Sequence, residues 1–439
     1  MSALEKYSSY KDSGVAWIRE IPENWKVIPL KACTEVKSIK NTSNLELLSV
    51  YLDLGVIRFK DIKQKRTNAT STDLSDYQIV DPGDLVLNNQ QAWRGSVGVS
   101  TYRGIVSPAY IVLKLSEIFN SNFANFYFRN GLTVSQYLIN SKGVGTIQRN
   151  LYWVHLKQTY VCAPPIEEQI KIANFLDTKI AQIDEAIKQK EELISLLKER
   201  RQVIVHKAVT LGLDDSVTMK DSGVEWIGEI PEHWETKRFR YLFSFSKGLN
   251  ITKENLQEEG IPCVNYGEIH SKYGFEVSPD KNSLKCVKED YLKNSQKSIL
   301  KHGDFVFADT SEDIEGSGNF TYLNSDKITF AGYHTVIARV KQKINPRFFA
   351  YLFDSDNFRN QVRRRVKGVK VYSITNGILK EILLWIPPMR DQDEIVEELD
   401  KRTEKIDKII SFQEDEIFKL KEYKNTLIDS CVTGKVRVI

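Results

Sequence analysis

The chain lacks the features that mark a membrane protein, a disulfide scaffold or a self-sufficient metalloenzyme. No apolar run approaches the roughly 20 residues of a membrane-spanning helix, and the opening MSALEKYSSYKDSG has no signal-peptide apolar stretch. No membrane association is expected, and the protein is expected to be cytoplasmic. Five cysteines (Cys33, Cys162, Cys263, Cys286, Cys431) lie scattered without a Cys-x-x-Cys pair, which argues against disulfides in that compartment and against a zinc site. The six histidines form no HExxH or HxxxH arrangement. There is no GxxxxGK[ST] loop for nucleotide phosphates, of which VTGK at 432–435 is only a fragment, and no GxGxxG opening a helix after a strand. The Asn-Pro-Pro-Tyr type of tetrapeptide that amino-methyltransferases carry is missing as well. Catalytic residues, cofactor and metal are therefore all expected to be none. Excess charge of one sign is also scarce: 62 Lys and Arg stand against 58 Asp and Glu, a net +4. Nucleic-acid binding is compatible with that balance only if local basic patches or a partner protein supply much of the phosphate contact.

What the sequence does contain is itself, twice. Its 439 residues allow two or three domains, and 41% hydrophobic with 27% charged content is ordinary for a globular protein. KDSGVAWIREIPENW (Lys11 to Trp25) and KDSGVEWIGEIPEHW (Lys220 to Trp234) agree at 12 of 15 positions, at an offset of 209. A second repeat pairs PPIEEQIKIANFLDTKIAQIDEAI from Pro164 with PPMRDQDEIVEELDKRTEKIDKII from Pro387, at an offset of 223 that holds without a gap to Thr210 and Thr433. Glycines follow, Gly212 and Gly434, one residue out of step.

Both copies of the second repeat carry one apolar stripe with alternating steps of three and four. It runs Leu176, Ile180, Ile183, Ile187, Lys190, Ile194, Leu197, Arg201, Ile204, Ala208 in the first copy. In the second it runs Leu399, Thr403, Ile406, Ile410, Gln413, Ile417, Leu420, Lys424, Leu427, Cys431. That period is a coiled-coil seam, and the matched polar breaks suggest a specified register. The paired prolines place a helix start just beyond them, giving a helix from about Ile166 to Thr210, roughly 65 Å at 1.5 Å per residue. Neither helix can bury its stripe alone, so the two are expected to pack antiparallel; the alternative is one helix lying on each domain.

The segments between the repeats differ by 14 residues in length but share a scaffold. PGDLVLN from Pro82 resembles HGDFVFA from His302, each a turn feeding a short strand. RGIVSPAYIVLKL from Arg103 compares with FAGYHTVIARV from Phe330, again reading as strands. NFANFYFRN from Asn122 and NPRFFAYLFDS from Asn345 read as aromatic-rich helices, and KGVGTIQRN from Lys142 compares with KGVKVYSIT from Lys367. Each segment is expected to be an α+β domain.

The two DSGVxWIxEIPExW blocks and the two PPxxxQ helices, in this order along the whole chain, resemble the specificity subunit of type I restriction-modification systems. The resemblance implies an α+β protein in which two target recognition domains are separated by two long helices packed as an antiparallel coiled coil, with pseudo-two-fold symmetry. The expected boundaries are 1–163 and 214–386 for the recognition domains, and 164–213 and 387–439 for the repeat helices. It implies sequence-specific binding of double-stranded DNA, each domain reading one half of an asymmetric bipartite target while the helices fix the spacer. Partners implied are methyltransferase subunits, expected as two, and motor and nuclease subunits through the complex; catalysis belongs to those partners. The duplicated, diverged chain independently suits a fused dimer on unlike half-sites. Rival readings are a non-catalytic assembly scaffold and a stand-alone nuclease or methyltransferase.

Base readout needs Arg, Lys, Asn or Gln in bidentate geometry. The first segment offers Asn89, Gln90, Gln91, Trp93 and Arg94 after the Gly-Asp strand, with Lys142, Thr146, Gln148, Arg149 and Asn150 in the later loop. The run from Arg58 to Arg66 suits phosphate positioning. The second segment offers Arg363, Arg364, Arg365, Lys367, Lys370, Tyr372 and Ser373, within a run of six basic side chains from Arg359 to Lys370; a solvated helix face is the alternative. Tyr333 and His334 are weaker candidates, as suited to core or scaffold. Thr310, Ser311 and Asn319 lie in the acidic ADTSEDIEGSGN, whose carboxylates repel phosphates unless one accepts from a cytosine amino group. The opening blocks, with Trp17, Ile18, Ile21, Pro22 and Trp25 and their copies Trp226, Ile227, Ile230, Pro231 and Trp234, either pack on the helices or dock the methyltransferase, and the two roles are compatible.

Overall fold

The computed structural model describes residues 5–41, 45–52, 54–61, 73–144, 148–224, 227–368 and 371–438. Two long helices, Ile166–Leu211 and Met389–Val432, start directly after the paired prolines, as the sequence leads one to expect. The chain divides into two compact units, Met1–Glu191 with Glu414–Ile439 and Glu192–Gln413, so the boundary falls inside both helices. Every stripe residue on the two helices is buried or half-buried. Among the described residues no helix is long and apolar enough to cross a membrane. The five cysteines are free thiols and all are buried.

In the first unit the central sheet has four antiparallel strands in the order Thr34–Val36, Tyr110–Leu115, Asp84–Asn88, Val97–Val99. In the second unit the same order recurs as Phe243–Lys247, Thr335–Val340, Phe305–Ala308, Phe320–Leu323, and a fifth strand, Phe275–Val277, adds in parallel at the edge. The Gly-Asp pair recurs for a physical reason. Gly83 and Gly303 take the left-handed conformation (φ +94° and +82°) that a side chain would resist. The next residue turns its carboxylate back on the turn: Asp84 accepts from the Asp81 N–H and Asp304 from the Lys301 N–H, each at 2.8 Å. Both carboxylates are buried and both are paired, Asp84 with Lys37 at 2.6 Å and Asp304 with Arg339 at 2.7 Å. A buried carboxylate without such a partner would be strongly destabilising.

Helices Ser121–Arg129 and Pro346–Asp354 are the aromatic-rich pair, each capped by an asparagine, Asn120 or Asn345, whose side chain accepts from two backbone N–H groups. The glutamine of each PPxxxQ joins this cap to the long helix. Gln169 accepts from the Asn120 N–H at 2.8 Å and donates to the Pro164 and Ile118 carbonyls. Gln392 repeats this with the Asn345 N–H at 2.9 Å and the Pro387 carbonyl at 2.8 Å. Both glutamines are buried, so this residue of the repeated motif stitches the helix to its domain.

The opening blocks are hairpins, Tyr10–Asp12 with Glu20–Pro22 and Met219–Asp221 with Glu229–Pro231, and each ends on a buried tryptophan. Trp25 donates from its indole nitrogen to Glu168 at 3.0 Å, in the first turn of one long helix. It also lies against Gly434, just past the end of the other. Trp234 repeats this with Asp391 at 3.1 Å and with Gly212. Within each unit, then, one helix begins where the other ends, and the pair runs antiparallel. Ile21, Pro22, Ile230 and Pro231 are buried with the tryptophans, while Trp17 and Ile18 are half-buried and Trp226 lies outside the described residues.

Candidate nucleic-acid interface

In the first unit the strand Asp84–Asn88 runs out into Asn89–Arg94, which closes as a short 3-10 turn over Ala92–Arg94. The Gln90 N–H donates to the Asn88 side chain (3.1 Å), the Trp93 indole N–H to the Gln90 carbonyl (3.0 Å), and the Arg94 guanidinium sits 4.5 Å above the Trp93 ring. The later loop is a hairpin, Ser141–Val144 with Gln148–Leu151, in which Lys142 faces Asn150, Gly143 faces Arg149 and Val144 faces Gln148. The Leu151 N–H donates to the Asn89 carbonyl at 2.8 Å, which seats the hairpin beside the loop. The two candidate segments named from sequence are thus brought together. Gln90, Arg94, Lys142 and Asn150 are exposed; Asn89, Gln91, Trp93 and Arg149 are half-buried. The Asn89 side-chain oxygen is buried and has no hydrogen-bond partner among the described residues. Thr146 lies outside the described residues, as does the Arg58-to-Arg66 run beyond Asp61. Arg58 and Lys60 both pair with Glu46, at 3.3 and 2.7 Å, and Arg58 stacks 4.8 Å from the Tyr102 ring.

The second unit builds the corresponding edge differently. The Ile374 N–H donates to the Asp309 carbonyl at 2.8 Å, the counterpart of Leu151 and Asn89. Thr310–Ser311 pairs with Tyr372–Ser373, and Lys367 bridges to Ser373. Arg364, Lys367 and Ser373 are exposed, Arg365 and Tyr372 half-buried, and Lys370 lies outside the described residues. The basic run is not a uniform face. Arg359 turns inward to Asn319 (2.6 Å) and Asp354 (3.0 Å), and Arg363 ties down the acidic loop through Glu315 (3.0 Å). Arg365 donates to the Gln361 carbonyl at 3.0 Å.

Tyr333 and His334, weaker candidates from the sequence, belong to an aromatic group beside this edge whose other members, Tyr266 and His270, the sequence reading missed. Tyr266 packs against His270, Tyr333 and His334, with ring centroids 5.3 to 6.2 Å apart. His270 accepts from Asn319 at 2.9 Å through one ring nitrogen and donates to the Thr310 carbonyl at 2.9 Å through the other. The chain Arg359, Asn319, His270, Thr310 therefore fixes the strand that borders the site. NYGEIHS carries no charge run to flag it, and it lies about 40 residues upstream of the loop it supports.

Comparison with known proteins adds the following. The sequence model of the type I restriction modification DNA specificity domain matches twice, at residues 22–195 and 231–417. The specificity subunit of the type I restriction enzyme MjaVIII of Methanocaldococcus jannaschii is 24% identical over 95% of this chain and 94% of its own. That of EcoKI of Escherichia coli K12 is 22% identical over 87% and 82%. Among solved structures, a chain of a type I R-M system studied for complex assembly and conformational transition superposes with a TM-score of 0.68 at 13% identity, covering 94% of this chain and 98% of that one. The HsdS subunit of Thermoanaerobacter tengcongensis gives 0.50 at 13% identity over 95% and 98%.

Proposed function

The chain belongs to the type I restriction-modification DNA specificity family, and on that premise we propose that it is the sequence-reading subunit of such a system. Each unit reads one half of a bipartite double-stranded target, and the continuous long helices set the number of unread base pairs between the halves. One observation supports this most. The same backbone hydrogen bond, Leu151 to Asn89 and Ile374 to Asp309, frames an edge whose side chains differ between units. A shared frame with unlike polar groups is what two unlike half-sites require. The target is therefore asymmetric.

The chain itself is non-catalytic and acts through methyltransferase subunits, with motor and nuclease subunits joining through them. The near-identical opening blocks, anchored on Trp25 and Trp234, offer each methyltransferase copy the same surface. Phosphate contact falls to the exposed Arg94, Lys142, Arg364 and Lys367 and to the partners, because the chain's own net charge is small.

Filter or fluorescence binding to random duplexes across a salt series tests the reading, alongside incubation of the chain with DNA, magnesium, ATP and S-adenosylmethionine. The expected results are binding that falls steeply with salt and DNA left unmodified by the chain alone. Salt-independent or absent binding by the methyltransferase-bound chain supports the scaffold reading instead, and modification by the chain alone supports a stand-alone enzyme.

A further inference from the structure

Asp309 and Asn89 occupy the same place in the two units. Each follows the Gly-Asp strand directly, and each gives its carbonyl to the N–H of the later segment at 2.8 Å. Their side chains are not equivalent. The Asp309 carboxylate is oriented through one oxygen only: Oδ1 accepts from the Thr310 hydroxyl at 2.7 Å and lies 3.2 Å from His334 Nδ1. Oδ2 has no hydrogen-bond partner among the described residues, and the side chain is 29% exposed. His334 sits in the left-handed conformation (φ 53°), one of three non-glycine residues to do so among those described. Such a conformation is strained for a residue that carries a side chain. It is held because its carbonyl accepts from the Asp309 N–H at 3.0 Å while its ring faces the carboxylate.

The fold does not require this device. In the first unit Ala109 stands one residue before the strand Tyr110–Leu115, where His334 precedes Thr335–Val340, and the shared backbone hydrogen bond forms all the same. A fixed carboxylate with one open oxygen, on an edge meant for a polyanion, needs a donor to face. Among base edges in the major groove, cytosine presents its N4 amino group alone, whereas adenine sets the N7 lone pair, which repels a carboxylate, beside its N6 amino group. Lys367, exposed, bridges to Ser373, which pairs with Thr310 next to Asp309, and its charge is placed to offset phosphate repulsion.

We propose that Asp309 is a specificity-determining residue of the second unit, its Oδ2 accepting from the N4 amino group of a cytosine, with His334 and Thr310 as positioning residues. This rests on the sequence-reading function proposed above.

The test uses the chain bound to its methyltransferase and a panel of duplexes in which each base pair of the target is replaced in turn. Competition binding gives, for each protein, the ratio of affinities between the intact target and each replacement. Because ratios are taken within one protein, a general loss of folded material does not imitate the effect. In the wild type one C·G pair of the second unit's half-site should discriminate by roughly ten- to a hundredfold. Asp309→Asn should lower that ratio to near one or shift it toward adenine, leaving every other position unchanged. His334→Gln should weaken the same ratio and no other. A half-site without a discriminating C·G pair, or ratios that neither variant alters, overturns the proposal while leaving the sequence-reading function intact. Equal affinity of the wild-type complex for every duplex overturns both.

Discussion

Lys424 reaches from one long helix to Asp184 on the other, its Nζ 2.7 Å from both carboxylate oxygens. Arg201 and Asp407, the residues that stand in for Lys424 and Asp184 at the repeat offset of 223, pair at 3.2 Å in the other unit. One polar break in each stripe is thus half of an interhelical ion pair, and the repeat writes that pair twice. The two copies are not equally embedded, because Arg201 also holds Asp354 at 3.1 Å and its side chain is 18% exposed against 28% for Lys424.

Replacing the two cations should therefore have unequal effects. Lys424→Met should change stability by no more than about 1 kcal/mol, as expected of a largely solvated pair. Arg201→Met should cost about 2 kcal/mol, less than the loss of a fully buried partner because Arg359 still holds Asp354. Urea denaturation of each variant measures both, and equal losses would contradict the difference in embedding.

The helix-ending glycines give a second contrast. Both adopt positive φ, +81° at Gly212 and +75° at Gly434, so alanine at either should cost about 1 kcal/mol in backbone strain. A Cβ at Gly434 would meet Pro22 at 2.4 Å, whereas at Gly212 the nearest atom is 3.5 Å away. Overpacking should add about 1–3 kcal/mol to Gly434→Ala alone. Thermal midpoints that fall equally for the two variants would count against the contact of Gly434 with the opening block.

Glu276 carries a pH signature. Burial raises its pKa, but hydrogen bonds from Asn324 and Tyr322 and the charge of Arg347 outweigh this and leave it below the ordinary value of 4.5. A depressed folded pKa means that the stabilisation is complete above the unfolded value and is lost as pH falls through the folded one. Stability of the second unit should therefore drop below about pH 4.5 more steeply in the wild type than in Glu276→Gln. Parallel pH profiles would show that the network around Arg347 does not depend on that charge.

Much of the architecture was legible because it rests on local rules. Paired prolines, a three-four stripe and a following glycine set both ends of each long helix, and Gly-Asp sets the entry of the central strand. The opening blocks were legible as anchors, since Trp25 and Trp234 had to find buried partners. The interface was legible only in part. Asn89 and the hairpin from Lys142 were named separately and meet through one backbone hydrogen bond, which no local pattern announces. The run from Arg359 to Lys370 looked uniform because the acids that engage Arg359 and Arg363, Asp354 and Glu315, lie outside it in sequence. His270 and Tyr266 were invisible for the same reason: their roles come from a tertiary neighbour, Thr310.

The helices should act as a ruler. Four residues inserted after Arg200 and again after Tyr423 add about 6 Å each, more than one base pair of rise, and leave each stripe only about 40° out of phase. The inserted chain, with its methyltransferase, should recognise the same half-sites separated by a longer gap. An unchanged gap would sink the ruler.

Genomic methylation mapped in cells that carry this chain with its methyltransferase tests the central claim most directly. Two unlike units reading one duplex predict a bipartite, asymmetric motif with a fixed number of unspecified base pairs. A single uninterrupted motif, or a palindrome with identical halves, would contradict it.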